Sequence, residues 1–335
     1  MLGWAGAALL LVAAFFAAFA ALNQTVYGAS SFVERYLDAI ARDDVLTAAA
    51  TPGVALSAAE LEGMGLPADT SRALLRSGVV DEGPSDVRIT GDELQDDGSH
   101  EVTASYRVGA AIMETTFHVE PIPPLYGVLA RWAFATSPLA VLDVTVDHGP
   151  YFTVGDDRFT LDARFGKEGD ELKAFSQSAS YLAIAPASYS LSYDDTLLHA
   201  DAIDVVAVPS ERVDATLDVQ ATTAFTERVQ AKLDEHLQAC TEQHVLQPAD
   251  CPFGTYIEDR VTTEPDWTIV ASPPVTLTPG ADGFDMPETQ GTAHLSVEVQ
   301  SLFDGSYEQH EEDVPFTIAL TARVTPDGNI IVSLR

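Results

Sequence analysis

The stretch from Met1 to Leu22, MLGWAGAALLLVAAFFAAFAAL, carries no charged side chain, and the first charge in the chain is Glu34. At about 1.5 Å of rise per residue, such a run matches a hydrocarbon core of roughly 30 Å. A helix of that length and composition has no polar face to turn toward water. The chain is therefore expected to carry one transmembrane anchor, residues 1–23, followed by a large polar body. A cleaved signal peptide is the competing reading, because Ala18-Phe19-Ala20 fits the small-x-small cleavage pattern. Against it stand the missing basic n-region and an apolar run longer than a usual h-region. No Lys or Arg precedes Arg35 to orient the helix by charge. A lipid-modified N-terminal cysteine is not expected, since the only cysteines are Cys240 and Cys251.

Charge limits the partners of that body. Acidic residues number 51 against 17 basic ones, giving a net charge of −34. Such a surface repels nucleic acid, and no basic stripe offsets it, so no nucleic-acid partner is expected. The simplest reading of the excess is a well-solvated surface. At 46% hydrophobic residues the chain has enough apolar material to escape disorder. Its length exceeds what one small core organises, which points to two or three domains.

Patterning divides the body into three expected modules. Residues 24–138 read as an α+β module. Ser31-Phe32-Val33-Glu34 has the form of a capping box, opening a helix with Phe32, Tyr36, Leu37 and Ile40 on one face. A weaker helix is expected over 68–76, then strands over 87–94, 101–108, 112–119 and 128–135, the last containing Trp132. Residues 139–222 read as a β-sandwich, with short strands over 141–146, 151–154, 158–165, 188–193, 203–208 and 213–219. Residues 223–335 read as a second α+β module. There Phe225, Val229, Leu233 and Leu237 recur at helical spacing, and strands follow over 267–270, 293–302, 316–324 and 330–334. The segment Trp132 to Pro138 echoes Trp267 to Pro273, and Phe32-x-Glu34-Arg35 echoes Phe225-x-Glu227-Arg228. The strands precede the first tryptophan and mostly follow the second, so duplication and coincidence both stay open.

Several short features carry a family resemblance: the run Ala185-Pro186-Ala187-Ser188-Tyr189-Ser190, the two Trp-x5-Pro strands, and the terminal Asp327-Gly328 turn. With the anchor and the order of modules, the chain resembles the TcaA-type membrane-anchored envelope proteins of Gram-positive bacteria. Its α+β units, the first opened by Ser-Phe-Val-Glu-Arg-Tyr-Leu-Asp-Ala-Ile, resemble nuclear-transport-factor-like cone modules. In that family a cytoplasmic zinc ribbon often precedes the anchor, and none is expected here. The resemblance implies a non-enzymatic protein of the cell envelope and transfers no functional residue.

Chemistry-bearing patterns are few. His236, Cys240 and His244 would share a helix face, and with Cys251 they offer four ligands of the kind zinc takes. Two cysteines in an oxidising compartment more simply form a disulfide, and Cys240–Cys251 is the expected pairing. Such a bridge would pin the C-terminus of the helix, with Pro248 ending it. No Gly-x-Ser-x-Gly elbow, His-Glu-x-x-His, P-loop or Gly-x-Gly-x-x-Gly occurs, and Arg164, Asp170 and Val229, not serine, stand three before the lysines. The doublets Asp43-Asp44, Asp96-Asp97, Asp156-Asp157 and Asp194-Asp195 lack calcium-loop spacing and sit at turns. His118 shares a strand face with Glu120 and is the one acid–base candidate; a half-exposed histidine beside a solvated carboxylate is the plainer reading. Trp132 and Trp267 read as core anchors.

The expected protein is thus a single-pass membrane protein with an extracytoplasmic α+β body, acting by binding or scaffolding, with no catalytic residue, cofactor or metal. Its partners are the lipid bilayer, through the N-terminal helix, and an envelope protein or cell-wall component. A cone-fold hydrolase or isomerase centred on His118, and a secretion or conjugation scaffold, are the alternatives.

Overall fold

A computed structural model describes residues 14, 26–126, 128–161, 176–325 and 328–335. The expected membrane segment lies, apart from Ala14, outside the described residues. Among the described residues no helix is long and apolar enough to cross a membrane. Among the described residues strands account for 49% and helices for 15%, so the body is mostly β, with several sheets and few helices. It divides into two compact units: the described residues up to Leu161, with Ser176–Tyr193 and Asp201–Leu217, form the first, and Asp194–Ala200 with Asp218–Arg335 form the second.

The first unit opens with α1 (Ala29–Ala41), whose buried face is Phe32, Val33, Tyr36, Leu37 and Ile40. Burying each such side chain contributes roughly 1.5–3 kcal/mol. The helix starts two residues before the expected cap at Ser31. Gly28 is its N-cap and no side chain caps it, while the Ser30 hydroxyl donates to Asp92. Two short helices follow, α2 (Val45–Ala49) capped by Asp44 and α3 (Ala58–Gly63) opened by a true capping box, Ser57 with Glu60. The helix expected over 68–76 is absent. There Thr70 gives both its N–H and its hydroxyl to Pro67 O (3.0 and 2.6 Å). Ser71 bridges to Tyr181. Local bonding of this kind competes with a helical ladder.

Strands β1 (Ser85–Leu94), β2 (His100–Val108), β3 (Ala111–Leu125) and β4 (Leu129–Phe134) form an antiparallel meander in that order. The alternation of β2 puts Val102, Ala104, Tyr106 and Val108 inside. Helix α1 packs there through Phe32 and Tyr36, with ring centroids 4.9 and 5.0 Å from Phe134. The loop after α2 closes on the same strand: Phe134 N donates to Pro52 O at 3.0 Å. Gly53 makes this approach feasible, because at φ +81° a Cβ would sit 2.1 Å from Phe134 O.

The rest of the first unit is built from β5 (Ala140–Asp147), β6 (Tyr151–Val154), β7 (Asp157–Thr160), β8 (Ser176–Ala183), β9 (Ala187–Asp194), β10 (Leu198–Ala207) and β11 (Arg212–Asp218). The strand expected over 158–165 ends at Thr160, and its remainder beyond Leu161 lies outside the described residues. One sheet has the order β11-β5-β8, and another runs β10-β9-β6-β7. Phe152 and Phe159 of the second sheet meet Tyr181 of the first edge-on, at 5.3 and 6.4 Å. Asp143 is almost fully buried between β8 and β11, where it accepts from the Ser180 hydroxyl and the Arg212 guanidinium. The Tyr36 hydroxyl donates to Ala185 O at 2.7 Å, tying α1 to this half of the unit.

In the second unit β12 (Gln220–Ala221) pairs with Leu198 and His199. Thr222 then caps α4 (Thr223–Thr241). The helix buries Phe225, Val229, Leu233 and Leu237 at the expected spacing, and Phe225 meets Phe284 edge-on at 5.5 Å. It ends at Thr241, well before Pro248, in a turn where His244 takes a left-handed φ of 48°. The remaining strands are β13 (Arg260–Val261), β14 (Asp266–Ala271), β15 (Thr278–Pro279), β16 (Phe284–Gln300), β17 (Tyr307–Val324) and β18 (Ile330–Leu334). A long antiparallel hairpin, β16 with β17, is the spine. Strands β13, β14 and β15 pair with β16, and β18 pairs with β17.

Candidate functional site

An open cavity of about 340 Å³ lies in the first unit, between α1, the loop after α2 and the end of the β3–β4 hairpin. Phe32 and Tyr36 reach it from the buried face of the helix, and Trp132 reaches it from β4. The geometry is pinned by two backbone carbonyls of the segment before α1. The Trp132 indole N–H donates to Tyr27 O, and Arg35 Nη1 donates to Val26 O, both at 2.8 Å. Burial holds the Tyr36 hydroxyl well above the ordinary tyrosine pKa, so it serves as a neutral donor. Arg35 and Arg131 are exposed and flank the opening, and Leu125 completes its apolar edge. An aromatic wall with guanidinium groups at the mouth suits contact with an apolar or flat group that carries negative charge.

Beside this cavity stands a cluster that no sequence motif announces. His100 Nδ1 lies 2.5 Å from Asp92 Oδ1, and the other oxygen of Asp92 accepts from the Ser30 hydroxyl. The His100 ring meets Trp132 edge-on at 4.8 Å. The three polar groups come from β2, β1 and α1. In β2, His100 falls on the same side as buried Val102 and Ala104, which is why its ring reaches Trp132.

His118 goes the other way. It lies between buried Phe117 and Val119 on β3 and so faces out, with about half of its side chain exposed. Its ion-pair partner is Glu101 at 3.6 Å, directly across the strand pair, rather than Glu120. The strand alternation that puts His118 and Glu120 on one face makes that face the solvent face. The acid–base candidate therefore does not address the cavity.

In the second unit Cys240 and Cys251 form a disulfide, with Cα atoms 5.9 Å apart. The four-ligand zinc arrangement is not assembled. Both sulfurs are bonded to each other, His236 Nε2 lies 3.1 Å from Asp250 O, and His244 Nδ1 lies 3.2 Å from Pro265 O. Among the described residues no group of three or more His, Cys, Asp or Glu side chains could hold a metal. The bridge instead closes a loop over Trp267. That indole donates to Val245 O at 2.8 Å, and its ring centroid lies 5.1 Å from Phe253, just past Cys251. Trp267 is 2% exposed, in line with its reading as a core anchor.

The aspartate doublets serve local structure. Asp44 caps α2, Asp97 accepts from Ser99 N at 2.9 Å, Asp157 pairs with Arg76 at 2.8 Å, and Asp195 accepts from Leu197 N at 3.2 Å. A shallower recess of about 310 Å³ runs along α4 past Lys232 and His236, against Val332 and Leu334. Compared with known protein families, with curated proteins and with solved structures, the chain matches none.

Proposed function

We propose that this chain is a membrane-anchored extracytoplasmic envelope protein that acts by binding or by holding a complex together. In this reading the first unit combines a cone-like α+β module with a β-sandwich, and the second is a separate α+β module. The observation that carries the proposal is the open cavity whose rim holds Trp132, Arg35 and Arg131. A large aromatic surface and two guanidinium groups, half-exposed or exposed, are the residue types that dominate protein–ligand and protein–protein contacts. The disulfide supports an oxidising compartment. The partner would be an envelope protein or a cell-wall component offering an apolar, acidic feature to that rim. Affinity capture of the full chain from membranes, compared with the double variant Trp132→Ala, Arg131→Ala, tests this. A specific partner should be retained by the former and lost by the latter. Identical capture by both would remove the cavity from the account.

One observation favours a second reading. Asp92 holds His100 through Nδ1, the arrangement by which a carboxylate orients a histidine for proton transfer through Nε2. A cone-fold hydrolase or isomerase would use His100, not His118, as its base. Turnover of envelope-relevant ester, amide or glycoside substrates that disappears in His100→Ala, with folding intact by circular dichroism, would promote it.

A further inference from the structure

The β3–β4 turn exposes an apolar tip where an ordinary soluble surface would be polar. Tyr126 is 86% exposed, Val128 54% and Leu125 41%. Val26, the first residue of the described body, is also exposed, at 47%. These groups lie together, because Leu125 and Tyr27 line the same cavity and Trp132 of β4 is bonded to Tyr27 O. Arg35 and Arg131 flank the same opening. Aromatic, aliphatic and arginine side chains gathered at one edge are the composition of a membrane-interface contact.

The apolar run of the sequence says what covers this edge. It ends at Leu22, and four residues later exposed Val26 adjoins Tyr27, which lines the cavity with Leu125. A chain extends at most about 3.6 Å per residue, so the end of the run lies within roughly 14 Å of Val26. We propose that the apolar edge formed by Val26, Leu125, Tyr126 and Val128 rests on the bilayer that holds the anchor. The inference depends on the reading of residues 1–23 as a membrane anchor. The apolar tip enters the headgroup layer, and the guanidinium groups beside it stay with the cavity rim. Glu34 and Asp38 on α1, and the net charge of −34, oppose an anionic leaflet. Salt screens charges farther than about 8–10 Å, whereas the insertion of apolar side chains is not screened.

The opposite end of β3 supplies an internal control. Ile112 is 70% exposed, and β3 is 15 residues long. At about 3.3 Å per residue it stands roughly 40 Å from Leu125, well beyond headgroup reach. The native cysteines are paired, so Tyr126→Cys, Val128→Cys and Ile112→Cys each provide a single thiol for a nitroxide label. The labelled full chain is reconstituted into phosphatidylcholine–phosphatidylglycerol vesicles, and flotation is measured first. The spin label's collisions with oxygen, which concentrates in lipid, are then compared with those of a water-soluble nickel chelate. The expected result is a several-fold higher ratio of oxygen to nickel accessibility at 126 and 128 than at 112. Equal, aqueous ratios at all three positions in a protein that floats would overturn the docking edge and leave the anchor standing. Failure to float would remove the anchor reading, and the docking edge with it.

Discussion

Trp132 and Trp267 play the same local part in the two units, and their surroundings differ. Each donates its indole N–H to a backbone carbonyl at 2.8 Å, Trp132 to Tyr27 and Trp267 to Val245. Over Trp267 lies Phe253, which also meets Phe316 at 5.5 Å, on a loop held by the disulfide. Trp132, only partly buried, meets the His100 ring and lines an open cavity with Tyr27, Phe32 and Leu125. The comparison teaches that the same indole-to-carbonyl bond can hold a tryptophan in a closed core or at the wall of an open cavity.

The largest expected effect comes from breaking the closed member. Trp267→Ala should cost about 3–5 kcal/mol, the range for removing a large buried aromatic, as read from denaturant midpoints. A loss below about 1 kcal/mol would show that the lid carries no packing energy. Next comes the staple. Replacing Cys240 and Cys251 together by alanine should cost about 3 kcal/mol for so short a loop and should open Trp267 to acrylamide quenching. Unchanged quenching would show that Phe253 holds its place unaided.

The open member should answer more weakly. Trp132→Phe keeps most of the ring but deletes the donor to Tyr27 O, so a loss of about 1 kcal/mol is expected, with partner capture reduced. A loss as large as that of Trp267→Ala would make Trp132 a buried structural anchor after all. The smallest effect lies on the second unit's surface. His294 is held by Asp313 and Glu311 at 2.7 Å each, and these bonds raise its pKa while its own presence lowers that of Glu311. The histidine's contribution is full below its unfolded pKa of about 6.5 and is lost as pH rises through its raised folded value. Glu311 contributes above its unfolded pKa, near 4.3, and that contribution is lost as pH falls through its lowered folded value. Ring-proton titration by NMR should place His294 above an ordinary histidine, and His294→Gln should flatten the slope of stability above pH 6.5. An ordinary titration would sink the assignment.

Much of the fold is legible where burial is one-sided. β2 alternates residue by residue, and α4 repeats Phe225, Val229, Leu233 and Leu237 every fourth position, so both emerge from spacing. β8 does not, because Ala179 to Ala183 are all buried and leave no alternation to read. Helix α3 carries the capping box of Ser57 and Glu60, but in six residues it buries only Leu61, so no apolar period marks it. The cavity is the least legible part. Trp132 is visible as an anchor, but Arg35, Pro52, Leu125 and Arg131 come from separate elements brought together only by the meander and the Gly53 turn. His100 and His118 sit on equivalent strands, and only the parity of burial decides which one faces in.

The ion pair between Asp143 and Arg212 also sets a timetable. The two residues are 69 positions apart, and between them the chain passes through Asp194–Ala200, which belong to the second unit. During synthesis the carboxylate therefore emerges long before its guanidinium. At about 5–20 residues per second the delay is roughly 4–14 s. Until Arg212 arrives, β5 and β8 can pair, but the Asp143 carboxylate has the Ser180 hydroxyl as its partner and no guanidinium. The guanidinium bond is therefore among the last that this three-stranded sheet can make, and a fragment ending at Tyr193 would keep all of β5 and β8 while leaving Asp143 without it.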